Sequence, residues 1–137
     1  MSLSPWAHES GRVHEDESMT LLRHRGILVC TLKANAPIDA TRARAAIAAR
    51  RAATADRAYP YLFDLRGPNF AVAPCAIEVF RSASAATGVM AGAFLVPEGD
   101  PQNLAALVAE ITIDATPMRV FTDTDAALRW LEDLTAR

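Results

Sequence analysis

The chain has 137 residues, of which 51% are hydrophobic and 22% charged, as is usual for a globular protein. That length predicts one domain with a sizeable core. Its 14 basic and 16 acidic residues give a net charge of -2, so we expect no basic surface for nucleic acid. No apolar run approaches the roughly 20 residues of a membrane span. The N-terminus lacks the layout of a signal peptide, which predicts a cytoplasmic protein.

Residue usage says little about chemistry. Arginine supplies 13 of the 14 basic residues and alanine is the commonest residue, which is typical of a GC-rich bacterial genome. Cys30 and Cys75 are too few and too far apart for a disulfide framework or a zinc knuckle. The three histidines, His8, His14 and His24, are not arranged as zinc ligands. We therefore expect neither a metal nor a cofactor.

The N-terminal part of the chain predicts an arm followed by a hairpin. Residues 1–17 are polar without an apolar period, which indicates a flexible arm, and residues 18–137 form the single domain. Strands are predicted over 19–24 and 27–34, joined at Gly26, whose backbone suits a tight connection. The second strand is continuously apolar at its start, as expected for a strand covered on both faces.

The rest of the chain alternates helices with strands. In chain order it predicts a helix begun by Asp39, a strand over 61–65, a loop over 66–74, a helix over 75–87, a strand over 89–96, a helix from Asp100–Pro101 to about 110, a strand over 118–121, and a last helix begun by a capping box of Thr122 and Asp125. This β-β-α-β-α-β-α-β-α order predicts an α/β fold. Its single sheet has about five mostly parallel strands with an antiparallel first strand, and four helices cover it.

The first helix combines a small apolar stripe with many arginines. Ala43, Ala46 and Ile47 form the stripe, which would allow close packing on a sheet. Five arginines lie mostly off it: Arg42, Arg44, Arg50, Arg51 and Arg57. We expect them to form a solvated helix face; the alternative is a basic binding patch.

A family resemblance appears at YLFDLRG, residues 61–67, which is followed by a loop and a helix. This stretch resembles the STAS superfamily, also called SpoIIAA-like or anti-sigma-factor antagonist-like. The opening hairpin and the order of elements agree with it over about residues 18–135. The closing strand AFLVP and the segment PMRVFTDTDAALRWL are similar to small uncharacterised bacterial proteins of the STAS/SEC14-like branch. The resemblance implies the fold and a role in binding regulatory proteins.

The same resemblance excludes the phosphorylation switch of this superfamily. In its phosphorylatable members the strand leads into D-L-S-G, and an Asp-Ser pair opens the next helix. Phosphorylation of that serine breaks a complex with a kinase-type anti-sigma factor. Here Asp64, Leu65 and Gly67 match the first motif. Arg66 replaces its serine, and Val72–Ala73 stand where the Asp-Ser pair falls, so no phosphate acceptor is present at that place.

Asp64 and Arg66 are the first candidate site residues. They are two residues apart at a strand end, so both side chains point to one face, and we expect a local ion pair that holds the loop. The alternative is a ligand site, because ligands of open α/β sheets collect at the carboxyl ends of strands, where Asp64, Arg66 and Asn69 lie. A carboxylate cluster of Asp64 with Glu98 and Asp100 would suit a metal, but such loop acids usually cap helices.

Cys75 is the remaining candidate. It follows Pro74 at the predicted start of a helix, where amide dipoles can activate a thiol. Since no histidine is placed to assist it, we expect a buried, inert cysteine.

The helix after Asp100 is unusually apolar for a small domain. With two residues of the preceding strand it supplies Met90, Phe94, Leu104, Leu107, Val108 and Ile111. These residues predict either core alone, or a surface used for a homodimer interface or a small lipophilic pocket.

The sequence therefore predicts a non-catalytic STAS-like module of bacterial regulation, which contacts a protein partner or a second copy of itself. The alternative is a small-ligand binding protein, with nucleotide or lipid at the strand carboxyl ends. The contact residues in either case are Asp64, Arg66, Asn69 and Cys75. An enzyme using Cys75 is a third, less favoured hypothesis.

Overall fold

The computed structural model describes residues 11–55, 57–67, 69, 71–111 and 116–135. Its elements in chain order are β1 (Arg12–Glu15), β2 (Met19–His24), β3 (Ile27–Leu32), β4 (Pro37–Ile38), α1 (Ala40–Thr54), β5 (Tyr59–Asp64), β6 (Ala71–Val72), α2 (Pro74–Phe80), α3 (Ala83–Ala86), β7 (Val89–Leu95), α4 (Leu104–Ile111), β8 (Met118–Phe121) and α5 (Thr124–Thr135). The predicted alternation of strands and helices is confirmed.

One main sheet organises the domain. Its six strands lie in the order β1-β2-β3-β5-β7-β8. The pairs β1–β2 and β2–β3 are antiparallel, whereas β3–β5, β5–β7 and β7–β8 are parallel. The mostly parallel α/β architecture with an antiparallel beginning is therefore as predicted. The sheet has one strand more than expected.

The additional strand is β1, in the segment that the sequence assigned to a flexible arm. Residues 12–15 pair with β2, and the Asp16 carboxylate accepts hydrogen bonds from the backbone N–H groups of Ser18 (2.7 Å) and Met19 (3.0 Å) in the connecting turn. For these residues the arm prediction is wrong. Three of the four β1 residues are exposed, so the strand has no hydrophobic alternation to reveal it. Residues 1–10 lie outside the described part of the chain.

The two faces of the sheet carry separate cores. One face, the α5 face, is covered by α5 and buries side chains listed as Leu22, Ile27, Val29, Leu62, Ala91, Ala93, Leu95, Ala127 and Leu131. The other, the three-helix face, lies under α1, α2 and α4. It buries Met19, Leu21, Leu28, Tyr61, Ala43, Ala76, Phe94, Leu104 and Val108, among others. Alternate residues of each strand serve opposite faces.

Aspartates cap the long helices, at positions that differ partly from the prediction. Asp39 caps α1 as predicted. The helix expected directly after Asp100 begins only at Leu104, whose N–H donates to the Asp100 carboxylate at 2.6 Å. The predicted box over Thr122–Asp125 is wrong, because Asp123 instead accepts a backbone hydrogen bond from the first turn of α5 at 2.9 Å. Each cap satisfies N–H groups that a helix start leaves free.

A small second sheet includes Ala71–Val72, within the segment over 66–74 that was predicted as a loop. β4 and β6 pair in parallel over two residues each. The flanking N–H groups of Ala71 and Ala73 donate to the carbonyls of Ala36 (3.0 Å) and Ile38 (2.9 Å). Strands of two residues cannot show a hydrophobic period, so sequence patterns do not reveal them. The pairing anchors the segment after β5 to the entrance of α1.

The helix predicted over 75–87 is divided into α2 and α3. α2 ends at Phe80, and the Ser82 hydroxyl then accepts from the N–H of Ala85 at 3.3 Å. Serine favours such local hydrogen bonds over a helix interior, which accounts for the break.

Candidate functional site

Asp64 and Arg66 form the predicted ion pair. Asp64 is the last residue of β5 and is only 4% exposed. The Arg66 guanidinium donates from Nε to Oδ1 (2.9 Å) and from Nη2 to Oδ2 (2.8 Å), and the Arg66 backbone N–H donates to Oδ1 at 3.1 Å. The hydrogen bond to Asp64 raises the pKa of Arg66 against the opposing effect of burial. Both carboxylate oxygens are thus engaged by one bidentate partner.

The pair also reaches the helix on its side of the sheet. Asp64 follows Leu62 by two residues and therefore belongs to the α5 face. The Nη1 of Arg66 donates to the hydroxyl of Thr124, the first residue of α5, at 3.1 Å. The arrangement ties the end of β5 to the start of α5. For Asp64 to act as a base, this network would first have to open.

None of the hydrogen bonds described above joins Asn69 or Cys75 to the ion pair. Asn69 is exposed and has a φ of 62°, in the left-handed region that asparagine tolerates. α2 begins at Pro74, one residue earlier than predicted, and Cys75 follows it in the first turn. Cys75 is exposed, so the expectation of a buried cysteine at this position is wrong. A seven-residue helix has little covered surface, and its buried residue is Ala76.

The three-helix face contains a cavity of about 130 Å³. Cys30, Phe63 and Phe94, from three neighbouring strands, form its floor. Its walls include side chains from each covering helix, among them Ala46, Phe80, Leu107 and Ile111. The apolar residues of α4 serve both the core and the cavity. Leu104 is buried in the core, Leu107 and Ile111 line the cavity, and Val108 is buried and also lines the cavity. Met90 lies elsewhere, 44% exposed.

The location of Arg50 was predicted incorrectly. It was expected on the solvated face of α1 but is only 6% exposed and borders the cavity. Its guanidinium donates to the carbonyls of Ala85 and Thr87, both at 2.8 Å, and lies 5.2 Å from the centre of the Tyr61 ring. These contacts satisfy the charge beside an apolar space.

The spacing of buried residues along α1 could have identified Arg50. Ala43, Ile47, Arg50 and Thr54 are the buried residues of this helix, separated by four, three and four positions. That is the repeat of one helix face. An arginine in the register of the buried stripe is thus a signal for a buried cation that hydrophobicity alone does not reveal.

Cys30 is the protected thiol of the chain. Burial raises the pKa of the Cys30 thiol to about 12, so it is uncharged at neutral pH. Its Sγ lies 3.5 Å from the Sδ of Met19, and it borders the cavity. Because a thiolate is the reactive form, Cys30 is a poor nucleophile whereas the exposed Cys75 is accessible to reagents.

Two further properties concern the described residues only. Within them, no three His, Cys, Asp or Glu side chains are grouped closely enough to hold a metal ion. Asp100, considered with Asp64 as a metal ligand, uses its two carboxylate oxygens on the N–H groups of Leu104 and Ala105. None of the described helices is both long and apolar enough to cross a membrane.

Solved structures with the same fold support the resemblance seen in the sequence. A protein of the DUF3478 family with a SpoIIAA-like fold, from Shewanella loihica PV-4, superposes with a TM-score of 0.60 at 16% identity, covering 83% of this chain and 92% of its own. An anti-sigma factor antagonist from Mycobacterium paratuberculosis gives a TM-score of 0.58 at 18% identity, covering 85% and 94% respectively. The SpoIIAA-like fold is therefore confirmed.

The family itself is defined by sequence. None of the curated proteins matches the chain. The model of a domain of unknown function, DUF7793, matches residues 21–135, which include all elements from within β2 to the end of α5. The chain belongs to the DUF7793 family.

Proposed function

We propose that this protein is a non-catalytic STAS-like module of bacterial regulation that acts by binding another protein. The observation that carries the proposal is the engagement of Asp64: the buried carboxylate at the strand ends is held by Arg66 and positions the backbone. An anti-sigma factor antagonist shares the fold. A STAS-like fold whose strand-end acid has a structural role suits a binding module better than an enzyme.

The proposed contact surface is formed by residues that come after β5 in the chain. We define the strand-end surface as the exposed residues Asn69, Ala71, Pro74 and Cys75. The β4–β6 pairing fixes the backbone at Ala71, and Pro74 and Cys75 belong to α2, so a partner would meet a largely pre-ordered surface there and lose little entropy of loop ordering. These four side chains carry no formal charge, which suits the centre of a protein interface.

Phosphorylation within this segment is not part of the proposed mechanism. No Ser or Thr lies between Asp64 and Ser82. Ala73 is the N-cap of α2 and makes no side-chain cap. Binding at the strand-end surface would therefore be controlled by the amount of partner or by another site.

Photocrosslinking at Cys75 tests the proposal. Benzophenone maleimide should label the exposed Cys75 faster than Cys30, which is only partly exposed and whose raised pKa keeps its thiol uncharged. Irradiation in a lysate of the source organism should then yield a discrete crosslinked protein. The matched control moves the label to the exposed face of α1 in the double variant Cys75→Ala/Ala48→Cys. Identical products from both label positions would contradict the proposed surface.

Binding of the identified partner is then measured with both proteins in purified form. We expect Ala71→Arg to weaken its binding at least tenfold in calorimetry, on the order of one well-placed interface residue. Ala48→Arg, at an exposed alanine on α1, should leave it unchanged. Equal affinity of Ala71→Arg and wild type would exclude the strand-end surface. If the partner is a second copy of the chain, the labelled pure protein should crosslink to a dimer by itself.

Small-ligand binding is the second candidate function. The observation that favours it is the apolar cavity of the three-helix face. The location expected from the sequence, at Asp64, Arg66 and Asn69, remains a prediction. It has less support, because the Arg66 guanidinium already donates to Asp64 and Thr124.

A further inference from the structure

We infer that the cavity of the three-helix face is a binding site for a small, uncharged, apolar molecule about the size of one aromatic ring. Its volume is about 130 Å³. An engineered protein cavity of about 150 Å³ lined by aliphatic and aromatic side chains stays dry and binds benzene. The site lies across the sheet from the Asp64–Arg66 pair and does not depend on the proposed protein contact.

The lining determines the chemical class of the ligand. Aliphatic and aromatic side chains form nearly all of it, with Cys30 and Arg50 as the exceptions. The Cys30 thiol is uncharged at neutral pH, because desolvation raises its pKa to about 12. The Arg50 guanidinium donates to two backbone carbonyls and lies over the Tyr61 ring. A charged ligand would lose its hydration on entering this space, whereas an apolar one gains contacts.

The floor of the cavity is incompletely covered by the helices. Phe63 lies on β5, in the interior of the main sheet, yet its side chain is only partly buried. Leu62, the preceding residue on the opposite face, is 0% exposed. Cys30 on the neighbouring strand is partly exposed as well. Accessible surface at the middle of a helix-covered sheet face shows that these side chains border unfilled space.

The space arises from small side chains on α1. Ala46, Ala49 and Ala53 face the sheet and pack against its core. Ala46 also lines the cavity, and its methyl group is too short to fill the region beside the Phe63 and Phe94 rings, which stack with centroids 4.8 Å apart. Close packing is normal inside proteins, and unfilled volume is destabilising. A ligand that fills the space restores these contacts.

Toluene is a suitable probe, with benzoate as its charged counterpart of similar size. In two-dimensional NMR spectra of the full chain, toluene should shift the methyl signals of cavity residues such as Val108 and Ile111 in a saturable manner. It should also raise the melting temperature with concentration, since it binds the folded state. Benzoate should do neither at equal concentration.

A filled cavity provides the matched comparison. Ala46→Phe places a ring into the cavity, whereas Ala48→Phe adds the same ring to the exposed side of the same helix. We expect Ala46→Phe to weaken toluene binding at least tenfold and Ala48→Phe to leave it unchanged. If Ala46→Phe does not fold, Cys30→Leu fills the space from the floor and should have the same effect.

Three results would overturn the inference: no saturable shift of cavity signals with toluene, unchanged binding to a folded cavity-filled variant, or equal binding of benzoate. The Cys75 crosslinking experiment reports on the opposite question. Loss of toluene binding with crosslinking retained would reject the cavity alone, and the reverse result would reject only the strand-end surface.

Discussion

The two faces of the sheet combine large and small side chains in opposite ways. On the α5 face, small sheet residues such as Ala91 and Ala93 meet large helix residues such as Leu131, and all three are at most 1% exposed. On the three-helix face, large sheet residues such as Phe63 and Phe94 meet the alanines of α1. The first arrangement buries these three residues almost completely, and the second borders a cavity.

The difference shows how side-chain size and the number of covering helices determine packing. One continuous helix of twelve residues can align its apolar stripe with the sheet. Three helices converging on the other face leave a junction, and only long side chains could fill it. The cavity therefore lies on the face covered by several helices, and the face covered by one helix is the more fully packed around Leu131.

The largest expected effect tests the α5 face. Leu131→Ala removes a fully buried side chain from the α5 face, and we expect it to lower the free energy of unfolding by about 3 kcal/mol. Leu107→Ala, which truncates a partly buried leucine at the cavity, should cost about 1 kcal/mol because the residue is incompletely packed. Urea denaturation of both variants measures the two losses in free energy of unfolding. Equal losses would mean that the two faces are packed alike.

The next effect concerns the rim of the α5 face. Arg66→Ala leaves the buried Asp64 carboxylate without its bidentate partner, so we expect a loss of about 2 kcal/mol. Arg81→Ala serves as the control, because the Arg81–Glu78 pair is exposed and 3.7 Å apart. Its removal should cost about 0.3 kcal/mol. A similar small loss in both variants would show that Arg66 does not support the α5 face.

The smallest expected effect is a pH dependence of stability that arises from Cys30 on the three-helix face. The pKa of the Cys30 thiol is raised by burial to about 12 in the folded protein, against about 8.5 in an unfolded chain. Below the lower value both states hold the proton. Above it the unfolded state ionises first, so stability falls as pH rises, by about 1.4 kcal/mol at pH 9.5.

Denaturation of Cys30→Ala and Cys75→Ala at pH 7 and pH 9.5 isolates this contribution. The alkaline loss should be smaller in Cys30→Ala by about that 1.4 kcal/mol and unchanged in Cys75→Ala, whose thiol is exposed. An equal alkaline loss in wild type and Cys30→Ala would mean that the cavity floor ionises freely in the folded state.

Most of the fold could be predicted because its long elements carry strong periodic signals. The strands over 19–24 and 118–121 were predicted with their observed bounds. β1 was missed because its exposed side chains have no apolar repeat, and β4 and β6 because each has only two residues. Capping by Asp100 from four residues before Leu104 depends on a turn geometry that residue type alone does not specify.

The candidate site was predictable only where its geometry is local. The Asp64–Arg66 pair follows from a separation of two residues in the chain. The cavity depends on the distances between three helices, and these are set by tertiary packing. Leu107 and Ile111 could be recognised as apolar, but not as the walls of a cavity. Arg50 was missed because its charge was given more weight than its register on α1.

The edge strand β1 has a consequence for solubility. Without it, the apolar strand β2 would form the edge of the sheet and offer its unpaired backbone groups to other chains. β1 covers that edge with Arg12 and Glu15, and its pairing register shifts between Arg12 and His14, as in a bulge. Charge and an irregular backbone both discourage further strand addition. The polar segment at the start of the domain thus protects the sheet against aggregation.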